Sequence, residues 1–198
     1  MPRLELWYPL DNWFVTQGFG QCNYGVCDFY KSIGLKGHNG MDCAASHGQI
    51  VRAAHDGVVT FAGEDGSSGV GVVIRTHDKR QYGLDGAYFK TIYWHLKKDG
   101  VKVKVGQSVK VGDVIALADN TGHSTGDHLH FGLKPVYKGE QDWEWWNVAQ
   151  ENGYKGAIDP QQYFNGFFAK DARTVTQTYN DIIKLLQQVV GLLSVKNT

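Results

Sequence analysis

The sequence has little that would mark a nucleic-acid-binding or membrane-spanning protein. Twenty Lys and Arg residues balance twenty Asp and Glu residues, so the formal net charge is zero, and no stretch concentrates the basic residues. A surface that follows phosphates needs such a concentration, so we expect no nucleic acid partner. No segment approaches the roughly 20 consecutive apolar residues of a membrane span, so we expect none.

The N-terminal segment lacks the continuous apolar core of a secretory signal. Its first eleven residues, MPRLELWYPLD, are interrupted by Glu5, Pro9 and Asp11. A signal peptide requires an apolar region of about 7–15 residues, so we predict none here. Any export route is therefore not visible in the sequence.

Cysteine is scarce. Three residues, Cys22, Cys27 and Cys43, leave at least one thiol unpaired in a monomer, so their number does not imply a disulfide framework. A bridge between Cys22 and Cys27 stays open as an alternative. Because side chains alternate along an extended strand, Cys43 should point away from the side used by Asp42. We interpret Cys43 as a packed thiol rather than a metal ligand.

Proline is rare, with four residues, whereas glycine is abundant, with 25. Between the glycines run short segments rich in Val, Ile and Tyr, which is typical of brief strands joined by tight turns. Five such segments follow one another: Gln49–Ala54, Gly57–Ala62, Gly71–Arg75, Lys90–Trp94 and Gln107–Ala116. We interpret the glycine-rich Gly63–Gly71 as a hairpin loop. The predicted fold class is mainly β, a compact antiparallel β-sandwich of the hybrid-motif type.

The C-terminal segment has a different pattern. Its apolar residues recur at alternating spacings of three and four: Ala172, Val175, Tyr179, Ile182, Leu186, Val189 and Leu193. This spacing predicts an amphipathic α-helix. We therefore divide the chain into a main domain, residues 1–165, and a C-terminal helical tail, residues 166–198. The tail either packs on the main domain or serves self-association or partner docking through residues 172–193.

Two short segments carry residue patterns that metal sites use. The segment GHNGMD places His38 four residues before Asp42, and positions i and i+4 share a face on a strand and on a helix. The segment DHLHF places His128 two residues before His130, on one face of a strand. Each pattern alone is weak, but their combination in one small domain indicates a metal site. The sequence contains no His-Glu-x-x-His, so a glutamate base of the thermolysin kind is excluded.

At these segments the sequence resembles the lysostaphin-like, LytM-type zinc metallopeptidases that cut peptidoglycan cross-links or stems. The resemblance extends from about Val15 to Tyr163. The matching blocks follow in the family's order: VTQGFG, HNGMD, VRAAHDGVV, YWHL, VGQSVKVGD, TGHSTGDHLHF and DPQQY.

The resemblance implies a zinc-dependent endopeptidase that hydrolyses peptide bonds in bacterial peptidoglycan stems or cross-bridges, with one Zn²⁺ per chain. His38, Asp42 and His130 match the metal ligands, and His95 and His128 match two catalytic histidines. Two imidazoles and one carboxylate leave a fourth position for water, as in catalytic zinc sites. We expect His128 to deprotonate or orient this water and His95 to donate to the developing oxyanion, although the two roles are exchangeable.

Further residues receive more specific predictions. Asp127 stands where the family commonly has proline, and we predict that it hydrogen-bonds a zinc-bound or catalytic histidine. Four aromatic residues lie in segments longer than the minimal family domain, and they either grip the substrate or cap the core: Tyr82, Tyr88, Trp143 and Trp145. The remaining histidines are expected to be solvent-facing polar residues: His47, His55, His77 and His123.

Two other functions stay open. A non-catalytic family member would bind the cell wall and activate another hydrolase, but such domains typically lose ligands that are all present here. A carrier or phosphotransfer domain is favoured by the block VGQSVKVGD, but no lysine stands at the expected hairpin tip. The implied site of action is the cell wall, outside the cell. The missing signal fits a bacteriolytic endolysin released by a phage, or export by an unknown route.

Overall fold

The computed structural model describes residues 1–22, 26–139 and 151–166, together with the backbone of residues 145–147. The predicted C-terminal helix and its apolar seam, residues 172–193, lie outside the described residues, as does Trp143. The predicted boundary between residues 165 and 166 therefore stays a prediction.

The described part of the chain is mainly β, as predicted. Its strands are β1 (Leu6–Trp7), β2 (Val15–Gln17), β3 (Met41–Ala44), β4 (Ile50–Arg52), β5 (Gly57–Asp65), β6 (Gly69–Thr76), β7 (Tyr88–Leu96), β8 (Ser108–Val109), β9 (Val114–Leu117), β10 (His128–Lys138), β11 (Trp145–Asn147) and β12 (Phe164–Gly166). One short helix, α1 (Cys27–Ser32), lies between β2 and β3. No helix within the described ranges is long and apolar enough to cross a membrane.

One large antiparallel sheet organises these strands. Its order is β2-β3-β10-β7-β6-β5-β8, and β11 pairs with the far end of β10. A two-stranded antiparallel sheet, β4-β9, stands beside it. The pair β1-β12 is parallel, whereas the large sheet and the pair β4-β9 are antiparallel, as predicted. Strands β1 and β12 come from opposite ends of the domain, so no tight turn has to join them.

The core lies on one face of the large sheet. Along β7, the odd-numbered residues from Phe89 to Tyr93 are buried, whereas the even-numbered residues from Tyr88 to Trp94 are only half-buried. This alternation sends every second side chain into the core. The same cluster contains Val51 of β4 and Ile115 of β9, so the small sheet forms a second layer. The half-buried face of the large sheet carries the candidate site.

The segment between β2 and β3 contains a disulfide bridge and a short helix. Cys22 and Cys27 form a disulfide bridge, which the sequence had left open. Cys27 is also the first residue of α1, a six-residue helix too short to leave an apolar period in the sequence. Cys43 is a buried free thiol on β3, as predicted.

The glycine-rich segment is a hairpin, as predicted, but its turn is shorter than expected. Strand β5 continues to Asp65 and β6 begins at Gly69, so only the 3₁₀ turn Gly66–Ser68 joins the two strands.

Candidate active site

The three side chains predicted as metal ligands converge. Asp42 on β3 lies directly opposite His130 on β10, and His38 precedes β3 by three residues. The distance between His38 Nε2 and His130 Nδ1 is 2.9 Å. Asp42 Oδ1 lies 3.2 Å from His38 Nε2 and 3.0 Å from His130 Nδ1. The pairing of Asp42 with His130, together with the short segment that joins His38 to β3, therefore brings the three predicted ligand atoms close together.

The backbone holds the His38 imidazole in a defined orientation. The amide of Gly20 donates to the carbonyl of His38, and the amide of His38 donates to the carbonyl of Gln21. His38 Nδ1 lies 3.3 Å from the carbonyl oxygen of Gly18, which can only accept, so Nδ1 carries the proton. The lone pair of Nε2 therefore points towards Asp42 and His130. A carbonyl that fixes the tautomer of a ligand histidine is usual at metal sites.

Gly40 makes room for the second imidazole. A Cβ atom at Gly40 would lie 2.7 Å from Cε1 and Nε2 of His130, closer than real Cβ contacts come. The glycine in HNGMD thus allows the His130 ring to lie against the backbone between His38 and Asp42. The four-residue spacing of the predicted ligands His38 and Asp42 and the glycine between them therefore both contribute to the geometry of this site.

Burial and hydrogen bonding set the charge of this cluster. Burial alone would raise the pKa of Asp42, but its close contacts with the imidazoles of His130 and His38 hold that pKa well below its usual value. Burial lowers the pKa of His130, and the nearby Asp42 carboxylate partly opposes this effect. These shifts keep Asp42 as a carboxylate anion and favour the neutral form of His130, as metal binding requires.

His95 reaches the site through a β-bulge. Val70 and Val72 of β6 pair with Leu96 and Tyr93 of β7, so β7 holds one extra residue between the two pairs. His95 has a φ of 63°, a left-handed conformation that is rare for residues other than glycine. Without the bulge, strand alternation would turn its side chain into the core. Bulges re-aim side chains in this way beside active sites.

The two non-ligand histidines face each other across the site. Their ring centroids are 4.6 Å apart. His95 Nδ1 lies 2.7 Å from the carbonyl oxygen of Thr121, and His128 Nδ1 lies 2.8 Å from that of Gly126. Each Nδ1 must therefore carry a proton. Burial lowers the pKa of His95 to about 4, so this imidazole is neutral at neutral pH.

Tyr30 is a component that the sequence did not reveal. It is the buried residue of α1, and its ring stacks on His38 with centroids 5.8 Å apart. Its hydroxyl accepts a hydrogen bond from Gln17 Nε2 at 2.9 Å. Burial and the charge of Asp42 raise the pKa of Tyr30 to about 12, so the hydroxyl keeps its proton. A tyrosine in a six-residue helix gives no sequence signal of this placement.

Other predicted residues lie elsewhere. Asp127 is exposed, and the nitrogen Nδ1 of His128 is occupied by Gly126 and Ser124, so the predicted partnership of Asp127 is replaced by loop groups. Tyr82 packs edge-on against the core residue Phe89, as a residue that caps the core would, and its substrate-binding role stays a prediction.

Two of the predicted aromatic residues lie on the large sheet. Tyr88 is half-buried on the same face as the site, and the guanidinium of Arg75 lies 5.4 Å from its ring centroid. Trp145 begins β11, which pairs with β10 at Lys138. The substrate-binding role of both residues stays a prediction.

His55 also needs a correction, because it is buried and not solvent-facing. Its Nε2 contacts the Thr91 hydroxyl at 2.9 Å, and its Nδ1 contacts the carbonyl oxygen of Asp56 at 2.9 Å. The other three histidines of that group, His47, His77 and His123, are exposed, as predicted.

A second group of similar residues lies near the surface: His47, Asp119 and Asp127. His47 Nδ1 is 2.9 Å from Asp119 Oδ1, and His47 Nε2 is 3.5 Å from the ammonium of Lys97. Each imidazole nitrogen of His47 thus already contacts a side chain, and one of these is a cation.

The ligand atoms of the buried cluster fit zinc. Their separations of 2.9–3.2 Å compare with about 3.3 Å for neighbouring ligands around a tetrahedral zinc with bonds of about 2.0 Å. Two nitrogen atoms and one carboxylate oxygen are a donor set that zinc accepts in catalytic sites. Because other divalent ions also accept such donors, geometry supports zinc without excluding them.

Sequence relatives and solved structures show similar proteins. The peptidoglycan DD-endopeptidase ShyA of Vibrio cholerae is 40% identical over 96 residues, which cover 48% of this chain and 20% of that protein. The glycyl-glycine endopeptidase ALE-1 of Staphylococcus capitis is 35% identical over 111 residues, which cover 54% of this chain and 27% of that protein. The similarity is therefore confined to a minor part of each relative.

Solved structures extend the similarity beyond the matched sequence. The catalytic domain of the antimicrobial peptidase lysostaphin from Staphylococcus simulans has a TM-score of 0.56 and 25% identity, covering 77% of this chain and 92% of that domain. A zinc-containing peptidase from Vibrio cholerae has a TM-score of 0.54 and 30% identity, covering 80% of this chain and 41% of that protein.

A family model supplies the remaining comparison. The model of Peptidase family M23 matches residues 36–142, a segment that contains all three proposed ligands and both further histidines. Because this segment spans more than half of the sequence, the chain belongs to Peptidase family M23.

Proposed function

We propose that this chain is a zinc-dependent endopeptidase that hydrolyses peptide bonds in bacterial peptidoglycan stems or cross-bridges. The observation that carries the proposal is the convergence of His38 Nε2, Asp42 Oδ1 and His130 Nδ1 within 3.2 Å of one another. Membership of the M23 family and the endopeptidase names of the relatives support it. The similarity to a zinc-containing peptidase of known structure supports the choice of metal.

His38, Asp42 and His130 would hold the metal. Zinc bound by such a set supplies Lewis-acid polarisation of a carbonyl and a water whose pKa is near 7. The net positive charge of two neutral imidazoles, one carboxylate and a divalent ion favours this chemistry. The remaining work, moving protons and stabilising the developing negative charge, belongs to the chain's other side chains.

His95 and His128 are the proposed proton carriers. His95 is neutral, and its Nδ1 proton is engaged by Thr121, so its Nε2 can accept a proton. His128 Nε2 lies 3.7 Å from the Asp42 carboxylate, so His128 stands beside the proposed ligands. We therefore assign His95 as the base and His128 as the donor to the developing oxyanion, which is the exchanged assignment.

The proposed site of action is the cell wall, outside the membrane. Release by a phage, as an endolysin, is part of the proposal. Proteolytic removal of an N-terminal segment during secretion would contradict release by a phage. It would leave the peptidase proposal unaffected.

The proposal is tested by measuring the zinc content of the purified protein and the amino groups that it releases from bacterial peptidoglycan. We expect about one zinc per chain and steady release by the wild type. His130→Ala should lose both, whereas the matched control His77→Ala, an exposed histidine, should keep both. A protein that binds cell wall without cutting it, even after zinc is added, would contradict the proposal. That result would favour the activator function instead.

A further inference from the structure

Three basic side chains lie side by side on the half-buried face of the large sheet. Arg75 on β6 is the register partner of Lys90 on β7, and Lys90 is the register partner of Lys134 on β10. Register partners on adjacent strands present their side chains to the same face, about 5 Å apart at Cβ. We call Arg75, Lys90 and Lys134 the cationic row.

The two lysines of the cationic row carry an electrostatic cost. Like charges directly opposite each other destabilise a sheet. Within the described part of the chain, Lys90 and Lys134 form no ion pair with a carboxylate. Burial lowers the pKa of Lys90, and the charge of Arg75 lowers it further. Burial likewise lowers the pKa of Lys134, with Lys90 and Lys155 adding to the effect. An anion placed between the two lysines would relieve both effects.

The row is aligned with the candidate active site. On β10, His130, Gly132 and Lys134 occupy alternate positions and so share one face, with Lys134 about 13 Å from His130 at the usual strand rise. Opposite Gly132 stands Ile92 of β7. Gly132 has no side chain, so the sheet surface between the metal ligands and the row is low and apolar.

A groove adjoins this surface. Its volume is about 600 Å³, and its lining includes Phe61, Trp94, Arg75 and Lys90. The Phe61 and Trp94 rings are 5.5 Å apart. The indole of Trp94 lies directly over Gly71, where a Cβ atom would come within 2.0 Å of the ring. Two aromatic rings thus stand at one end of the groove, and two members of the cationic row stand at the other.

We propose that the cationic row binds a carboxylate of the substrate peptide, about four residues along an extended chain from the cleaved bond. The preferred substrate is then an acidic stem peptide, not a cross-bridge of uncharged glycines. This inference rests on the proposed function, because it takes the His38, Asp42 and His130 cluster as the point of cleavage. The relatives include a glycyl-glycine endopeptidase and a DD-endopeptidase by name, and a preference for a carboxylate would distinguish between these two activities.

The test uses pairs of soluble synthetic stem peptides that differ only in one group, a free carboxylate in one and a carboxamide in the other. We expect the wild type to show a KM about tenfold lower for the carboxylate peptide, because hydrogen bonds to charged groups are the stronger ones. Lys90→Gln and Lys134→Gln should each reduce this preference to about threefold or less, with kcat little changed. Added salt should raise KM for the carboxylate peptide only.

The matched control is Lys102→Gln, an exposed lysine outside the large sheet, which should keep the full preference. Equal KM values for the two peptides with the wild type would overturn the inference and leave the proposed function standing. An equal loss of preference in Lys102→Gln would also overturn it. Cleavage of no peptide by the zinc-loaded wild type would overturn the inference and the proposed function together. Unfolding midpoints of the variants verify that each is folded.

Discussion

Two groups of histidine and aspartate in this protein use the same residue types in opposite ways. In the buried group, His38, Asp42 and His130 direct their ligand atoms at one another. In the exposed group, His47 lies between the Asp119 carboxylate and the Lys97 ammonium. The first group has three donors and no cation among them, whereas the second already contains a competing cation. Two features therefore distinguish the proposed metal site from the surface cluster. Its ligand atoms converge, and no cationic side chain lies among them.

The difference has a topological origin. Asp42 and His130 are register partners on central strands of the large sheet, so packing fixes their separation. His47 and Asp127 belong to loops that β-pairing does not fix. A site on rigid elements presents its donors at constant distances, and this preorganisation strengthens metal binding.

The largest effect is expected from His95→Ala, which removes a proposed proton carrier without touching a ligand. The variant should keep its zinc, while kcat falls by about 10²–10⁴-fold, the usual contribution of general acid–base catalysis. Zinc content and amino-group release should be measured on the same sample. Loss of zinc together with activity would show that His95 belongs to the ligand set, which would contradict the separation of roles.

His55 is a buried histidine outside the proposed metal site, so it tests whether burial alone gives a histidine a role in metal binding. Burial lowers the pKa of His55 from 6.5 to about 4 in the folded protein. The unfolded chain therefore binds the proton more readily between these values, so the free energy of unfolding falls as the pH drops through this window. The expected loss between pH 7 and pH 5 is about 2 kcal/mol.

Chemical denaturation with a chelator present, at both pH values, measures this loss. His55→Gln should reduce the pH dependence by about that amount, whereas His77→Gln, at an exposed position, should not. Zinc binding at neutral pH should be unaffected by either change. A pH dependence that is the same in His55→Gln and in the wild type would show that His55 titrates normally.

Gly40→Ala should weaken the buried group by displacing one ligand. The added methyl would lie 2.7 Å from the His130 ring, so the imidazole must move away from Asp42 and His38. We expect zinc affinity to fall about 10–100-fold, as when the supporting residues of a zinc site are changed. Competition with a chelator measures this affinity. Gly126→Ala is the control, because a Cβ atom there meets nothing within 4 Å.

The smallest effect is expected from His47→Ala in the exposed group. Zinc content and peptidase activity should stay within about twofold of the wild type, because surface substitutions away from a site have small effects. If the wild type bound a second zinc per chain and this variant did not, the exposed group would also bind metal, which would contradict the contrast between the two groups.

The sequence predicted the mainly β fold and the residues of the buried group, because alternation and short motifs are local features. His128 and His130 share a face of β10, as their spacing predicts. The pairing of β10 with β3, which brings Asp42 to His130, is a long-range contact that local spacing does not determine. The family resemblance supplied that information.

The residues whose placement local sequence patterns could not predict share a physical cause. The placement of His95 depends on an extra residue in β7 relative to β6, and strand alternation alone would turn it into the core. His55 was expected at the surface, yet Thr91 on a neighbouring strand satisfies it in the interior. Asp127 adjoins His128 in sequence but is exposed, while loop carbonyls hold the imidazoles of His95 and His128. Each placement depends on contacts with residues elsewhere in the fold, which local sequence patterns do not predict.

The most direct test of the central claim is a zinc titration of the metal-free protein, followed by amino-group release from peptidoglycan. We expect activity to rise in proportion to added zinc, to reach its maximum at about one zinc per chain, and to follow the same curve in His47→Ala. Absence of activity at every zinc concentration, in a protein that still binds the cell wall, would contradict this claim.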